Sequence, residues 1–148
     1  MAGSRLPESD YVARHCRASD LMYGPDGIPT GVFESAFMPK PTEVDGISVI
    51  WLEFFHGDVS RQLACARSVT KLKVTRSSMI ATLHVRSLIL ATHSFNIYTE
   101  VVDDPIEKLP PDANAAHALI RPIDALHDQA IREAIAKLVG INDLAAYI

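Results

Sequence analysis

Glycine and proline are distributed very unevenly along this chain. All but one of the 7 glycines lie at or before Gly57, and residues 58–104 contain neither glycine nor proline. These two residue types mark turns and interrupt regular elements. The chain is therefore predicted to be rich in loops first and in uninterrupted helices and strands afterwards.

The size of the chain fits one ordinary domain. Its 148 residues are 48% hydrophobic and 22% charged, which is close to the average for globular proteins. A core of this size needs neither disulfides nor a structural metal, and the composition excludes collagen, coiled coil and low-complexity disorder. We expect residues 1–10 to be disordered and residues 11–148 to form a single domain.

The pattern of apolar residues predicts both strands and helices. Tyr11–Cys16 alternates as a strand does, although Ser9 and Asp10 would cap a short helix equally well. The segment 46–55 suits a strand that runs into a turn, or a buried helix that opens at Ser48. Further extended segments are predicted at 31–38, 71–76, 79–85 and 96–102.

Two segments have the spacing of amphipathic helices. Asp58 is a good N-cap for a helix over 59–69. A second helix is predicted over 123–139, because Ile131, Ile135 and Leu138 keep helical spacing and Gly140 ends the pattern. Its surface would carry the i,i+4 ion pairs Asp128–Arg132 and Glu133–Lys137. Together the elements predict an α+β fold: one mixed or mainly antiparallel sheet packed against two to three helices on one face.

Charge and cysteine content narrow the class of protein. The net charge is −4 and the isoelectric point is about 5.8, which does not suit a surface coated with basic residues for nucleic acid. Cys16 and Cys65 are far apart in sequence and show no metal-ligand spacing, so we expect a reducing cytoplasm, no metal and no cofactor. The chain shows no signal peptide and no long apolar run, so we expect no membrane contact.

Standard catalytic motifs are absent, so the candidate catalytic residues are isolated side chains. His15 and Cys16 are adjacent, but neighbours in a strand point to opposite faces, so Cys16 would need a distant base such as His117. A free cysteine is otherwise a small buried apolar residue. His117 has small neighbours that would leave its ring accessible, and Asn114 and Arg121 could support it; alternatively it is a loop histidine without a special role.

Glu53 is the third candidate for acid–base chemistry. It lies in the most apolar segment of the chain, beside the only tryptophan, Trp51. A buried carboxyl has a raised pKa and could exchange protons, whereas an exposed or paired carboxyl would have no such role.

The residues 59–99 contain no aspartate or glutamate, and their basic residues define a candidate basic face. Together with Trp51, the predicted binding residues are Arg61, Arg67, Lys71, Lys73, Arg76 and Arg86. Such a face would attract nucleic acid or an acidic protein surface, although the segment lacks the aromatic residues on which bases stack. It could equally be a solvated face balanced by acids elsewhere.

Two functions from different classes follow from these candidates. The first is an accessory or interaction protein of the bacterial type that binds an anionic partner, a nucleic acid or an acidic protein, through the basic face. The second is a small hydrolase or nuclease-like enzyme that uses His15, Cys16, Glu53 and His117. The second function requires these side chains to converge, which a sequence cannot show.

Overall fold

Antiparallel pairing joins six of the strands into one sheet. The computed structural model describes residues 2–69, 76–107 and 114–147. The sheet contains β1 (Tyr11–Cys16), β4 (Ile47–Trp51), β5 (Met79–His84), β6 (Glu100–Asp103), β7 (His117–Arg121) and β8 (Leu144–Ala146). They lie in the order β6-β7-β4-β1-β5-β8, and every neighbouring pair is antiparallel. A separate hairpin is formed by β2 (Leu21–Tyr23) and β3 (Pro29–Val32).

The helices cover both faces of the sheet. Helix α1 (Val59–Val69) packs Leu63 and Ala66 onto the face that carries Ala13. Helices α2 (Val85–His93), α3 (Ile123–Leu126) and α4 (Gln129–Ala136) contribute to a larger core on the face that carries Val12. The α+β class and the mainly antiparallel sheet are therefore confirmed, but the expectation of helices on one face is wrong.

The last helical segment is divided in two. Helix α3 ends at Leu126, and Asp128 caps α4 by accepting a hydrogen bond from Ala130 N at 2.9 Å. The prediction of one continuous helix over 123–139 is therefore wrong. The helical spacing of apolar residues continues from α3 into α4, although the helical backbone is interrupted at the N-cap Asp128. Ile135 is fully buried as predicted, and Leu138 is partly buried against the same core.

The predicted ion pairs on α4 do not form. Arg132 is buried and donates to Glu34 and to the carbonyl of Leu126. Asp128 is engaged as the cap, and Glu133 accepts from Gln129. A buried guanidinium bonds to the acceptors that the core offers, and these belong to a distant part of the chain.

Three further elements differ from their predicted bounds. The extended segment over 31–38 ends after Val32, and a 3₁₀ helix over Glu34–Phe37 follows it. The strand predicted over 96–102 begins only at Glu100, and Asn96 lies in a turn with a positive φ of 60°. Residues 86–93, for which no element was predicted, belong to helix α2. The predicted strand over 71–76 lies outside the described residues except for Arg76, which is in a turn.

Residues ahead of β1 lie along the outer edge of β6. Arg5 forms an antiparallel bridge with Val102, and Leu6, which is buried, donates its N–H to the carbonyl of Val101 at 2.9 Å. The division into a disordered segment and one domain stays a prediction. Within the described part of the chain, no helix combines the length and hydrophobicity needed to cross a bilayer.

Candidate active site

A cavity of about 210 Å³ lies where β1 and β4 separate. The two strands pair through Val12 with Trp51 and through Ala13 with Ile50, but no further. Its polar wall includes Arg14, His15, Lys40, Glu43, Asn114 and His117, together with Thr42 and Ser48. We call it the β1–β4 cavity.

A buried ion pair holds the two strands apart. Arg14 and Glu43 have side chains that are only 4% and 6% exposed, and the guanidinium binds both carboxylate oxygens, at 2.7 and 3.2 Å. Arg14 also donates to the carbonyls of Ala36 and Ser48, at 3.0 and 2.9 Å. A charged pair is tolerated in a protein interior only when its remaining hydrogen-bonding groups are satisfied, and here they are.

Ser48 shows how the pair replaces part of the sheet. Its N–H donates to Glu43 Oε2 at 2.6 Å, and its carbonyl accepts from Arg14. These backbone groups would otherwise need partners on β1. The gap between the strands therefore leaves no ladder group of Ser48 unsatisfied.

Glu43 is held in its ionised form. Burial alone would raise the pKa of Glu43, but the hydrogen bonds and charge of Arg14, together with the N–H groups of Ser48 and Lys40, lower it below its usual value. The carboxylate therefore neutralises Arg14, so neither group supplies net charge to the cavity.

His117 begins β7 and faces the cavity with a defined tautomer. Its Nδ1 lies 2.8 Å from the carbonyl of Asp104, which can only accept, so Nδ1 carries a proton. The carboxylate Oδ2 of Asp104 lies 3.2 Å from the same nitrogen. The other ring nitrogen, Nε2, has no hydrogen-bond partner among the described residues.

His15 reaches the same cavity from β1. Its Nδ1 lies 2.6 Å from Tyr147 Oη, and Nε2 has no partner in the part of the chain that the structure describes. Burial, and next the charge of Lys40, lower the pKa of His15. The strand register fixes the distance between the two histidines. His117 on β7 pairs with Ile50 on β4, and Ile50 pairs with Ala13 on β1, two residues before His15. Strand spacings place the two histidine Cα atoms about 12 Å apart, with both rings facing the space between them.

Lys40 is the cavity cation that lacks a carboxylate partner. Its ammonium makes no hydrogen bond or ion pair with a described residue. Burial, followed by the charge of Arg14, lowers the pKa of Lys40, against the opposing effect of Glu43. Sequence reasoning missed Lys40, Arg14 and Glu43. The sequence did contain a signal for the ion pair. Arg14 lies between Val12 and Cys16 on an otherwise apolar strand face, and a charged residue in such a place needs a partner of opposite charge.

Cys16 does not join the histidines. It is fully buried on the face opposite His15. Burial raises the pKa of the Cys16 thiol to about 12, and Asp20 adds to the effect.

We therefore expect Cys16 to resist iodoacetamide in the folded protein at neutral pH, because only the thiolate reacts and the side chain is inaccessible. Mass-spectrometric mapping checks this, with Cys65, which is partly exposed, as the internal comparison. Both cysteines should be labelled after unfolding in urea. Rapid native labelling of Cys16 would contradict the buried position.

Glu53 and Trp51 lie away from the β1–β4 cavity and have partners. Glu53 Oε1 accepts the backbone N–H of Tyr11 at 2.8 Å, and Trp51 Nε1 donates to Asp10 at 2.8 Å. Burial raises the pKa of Glu53, and the hydrogen bond from Tyr11 opposes this effect. Both side chains anchor the start of β1.

The described members of the basic face do not share one surface. Arg61 and Arg67 are on α1, whereas Arg86 is exposed on α2, across the sheet. Arg61 Nε donates to the carbonyl of His56 and Arg67 Nε to that of Ala146. Arg76 is exposed in a turn. Lys71 and Lys73 lie outside the described residues.

Comparisons with known proteins add no constraint on this site. A scan against protein-family models and searches of curated proteins and of solved structures found no match for this chain. Among the described residues, no three His, Cys, Asp or Glu side chains are grouped so that they could hold a metal ion.

Proposed function

We propose that this protein binds a small anionic molecule in the β1–β4 cavity. The observation that carries the proposal is Lys40, a cation in the cavity wall that has no carboxylate partner among the described residues. Arg14 is neutralised by Glu43, so the electrostatic field that an anion would meet comes from Lys40. Protonation of either histidine would add positive charge.

The size of the cavity limits the ligand. Its volume of about 210 Å³ is below the roughly 300–1,000 Å³ of sites for drug-sized molecules. Val49, Ile50 and Ile106 supply an apolar part of the lining. A phosphate or a short carboxylic acid fits these limits better than a nucleotide or a peptide.

A macromolecular anionic partner has weaker support. The candidate basic face is distributed over both sides of the sheet, and Arg61 and Arg67 are already bonded to backbone carbonyls. A half-buried cation in a cavity wall is a more specific recognition element than scattered surface charges, because surface charges are screened by water and salt.

A catalytic role at the same cavity is the second candidate. It is supported by His15 and His117, which line one cavity and whose Nε2 atoms have no hydrogen-bond partner in the part of the chain that the structure describes. Imidazole side chains commonly accept and return protons in enzymes. A covalent route through Cys16 has no support, since its thiol lies on the other face of the sheet.

We place the protein in a reducing compartment, the cytoplasm. Both thiols are free, and Cys16 is buried in the larger core. Free buried cysteines are typical of proteins kept in reducing surroundings.

Titration calorimetry with phosphate, acetate and lactate tests anion binding. At least one anion should bind the wild type, and Lys40→Gln should weaken binding about tenfold or more, because it removes a charge-assisted hydrogen bond. Lys137→Gln is the matched control, since Lys137 is an exposed lysine on α4's C-cap, and it should bind like the wild type. Equal affinities of wild type and Lys40→Gln, or no binding by the wild type, would overturn the proposal.

A further inference from the structure

We propose that Lys40 captures a small 2-oxo acid as a covalent imine in the β1–β4 cavity. This inference rests on the proposed function, because the same cavity would hold the carboxylate of the ligand. The geometry that supports it is a lysine that has no side-chain partner among the described residues and that lines two cavities, one of which is also lined by His15 and His117.

Lys40 is positioned firmly and is accessible from two sides. Its backbone N–H donates to Glu43 Oε1 at 2.8 Å, and prolines 39 and 41 restrict the backbone on both sides. The side chain lines the β1–β4 cavity and also an adjoining cavity of about 280 Å³. A small ligand can therefore approach the amine while the lysine backbone stays fixed.

Burial and the charges around Lys40 lower its pKa and so increase the fraction of its amine that is neutral and nucleophilic, while the remaining fraction stays cationic. The cations that face it are Arg14 and Arg17, and the anions are Glu43 and Asp20. Each anion is already engaged, Glu43 with Arg14 and Asp20 with Arg17 and Ser35. Burial and a neighbouring cation are the two influences that make a lysine amine reactive toward carbonyl groups.

The proposed step balances without a further reactant. The lone pair of Lys40 Nζ attacks the carbonyl carbon of the 2-oxo acid, and the C–O π electrons move to the oxygen, which takes a proton. The nitrogen gives up a proton, which leaves a carbinolamine. Its hydroxyl group is then protonated and departs as water, while the nitrogen lone pair forms the C=N bond. One carbonyl compound and one amine thus give one imine and one water.

His15 and Asn114 suit the remaining requirements of this reaction. His15 lines both cavities with Lys40, and its neutral ring can take the proton released from nitrogen and return it to the departing oxygen. Asn114 is buried, and its Oδ1 accepts from Ala116 N, which leaves the side-chain NH₂ as a donor for the ligand carboxylate.

Reductive trapping tests the inference. The full chain is incubated with pyruvate or glyoxylate and cyanoborohydride, and the adducts are located by peptide mass spectrometry. We expect one dominant adduct on Lys40, formed at least about tenfold faster than on the exposed Lys137, because burial and a neighbouring cation make a lysine amine more reactive toward carbonyl groups. Adducts spread evenly over the lysines would overturn the imine.

The variant Lys40→Arg separates this inference from anion binding. Lys40→Arg keeps the cation but has no nucleophilic amine, so it should bind lactate and form no adduct at position 40. If wild type binds lactate through Lys40 but traps no 2-oxo acid, the imine is overturned and the proposed function stands. If the wild type neither binds an anion nor forms an adduct, both are overturned.

A competition measurement on the wild type applies even if Lys40→Arg does not fold. Excess lactate, which has the carboxylate but no carbonyl, should slow trapping at Lys40 and leave the rate at Lys137 unchanged. Trapping at Lys40 that is insensitive to a lactate concentration shown to saturate the cavity would overturn capture inside it.

Discussion

Glu43→Gln is expected to lower the free energy of unfolding by about 3–5 kcal/mol, the range for breaking a buried ion pair from one side. Oε1 accepts from Arg14 and Lys40, and Oε2 accepts from Arg14 and Ser48. A glutamine replaces one of these oxygens by an NH₂ group, which donates hydrogen bonds and cannot accept them. Whichever oxygen is replaced, the two groups that donate to it lose their acceptor. Urea unfolding followed by circular dichroism measures the change.

Glu100→Gln is the matched control for this prediction. Glu100 also bonds two arginines, but the side chains of these arginines are 81% and 40% exposed. Water and salt screen such pairs, so the loss should be about 0–1 kcal/mol. A similar loss in both variants would contradict the special role of the buried pair.

Replacing both partners by apolar residues should not restore stability. In many proteins a buried pair can be exchanged for hydrophobic side chains without cost. Here Arg14→Met with Glu43→Leu would strip partners from the backbone of Ser48, Lys40 and Ala36. A double variant as stable as the wild type would show that these backbone groups find other partners.

Acid should remove the advantage of Glu43 over glutamine. The pKa of Glu43 is lowered in the folded state because the bonds from Arg14 outweigh the opposing effect of burial. Its contribution is therefore complete above the ordinary glutamate pKa of 4.5 and is lost as the pH falls through the folded value. The stability difference between wild type and Glu43→Gln should shrink below pH 4.5.

Phe37→Ala is expected to cost about 3–5 kcal/mol, the usual result of removing a fully buried phenyl ring. Phe37 has no exposed surface and belongs to the larger core. It ends the 3₁₀ helix Glu34–Phe37, which packs against α4. Chemical denaturation measures the loss.

Phe33→Ala provides the comparison, since Phe33 precedes the same 3₁₀ helix but is 51% exposed. Its ring is only partly removed from water, so its loss should be clearly smaller. Equal losses would mean that Phe37 does not anchor this segment to the core.

Local patterns in the sequence predicted most of the elements but not their assembly. The alternation of Tyr11–Cys16 predicted a strand, with a short helix as the alternative, and the structure has the strand. The N-cap Asp58 and the apolar spacing after it predicted the helix Val59–Val69. The break at Asp128 was missed, because apolar periodicity does not report a change of backbone direction. The placement of helices on both faces depends on contacts between distant segments, such as Glu34 with Arg132.

The candidate site was only partly accessible from the sequence. His15 and His117 were identified by residue type, but their common cavity depends on the order β7-β4-β1, which no local pattern reveals. Cys16 and Glu53 were identified by the same reasoning and lie elsewhere. Lys40 became a candidate only when its neighbours were known, because its reactivity depends on residues that are distant in sequence.

The separation of β1 from β4 has a consequence for how this sequence can change over evolutionary time. At most positions of a sheet the backbone supplies the bonds that join strands, so side chains can be exchanged while the ladder persists. At Ser48 the bonds come from the side chains of residues 14 and 43. These two positions are expected to co-vary among descendants of this chain, and a change at one alone would select for its partner's replacement or for its own reversal.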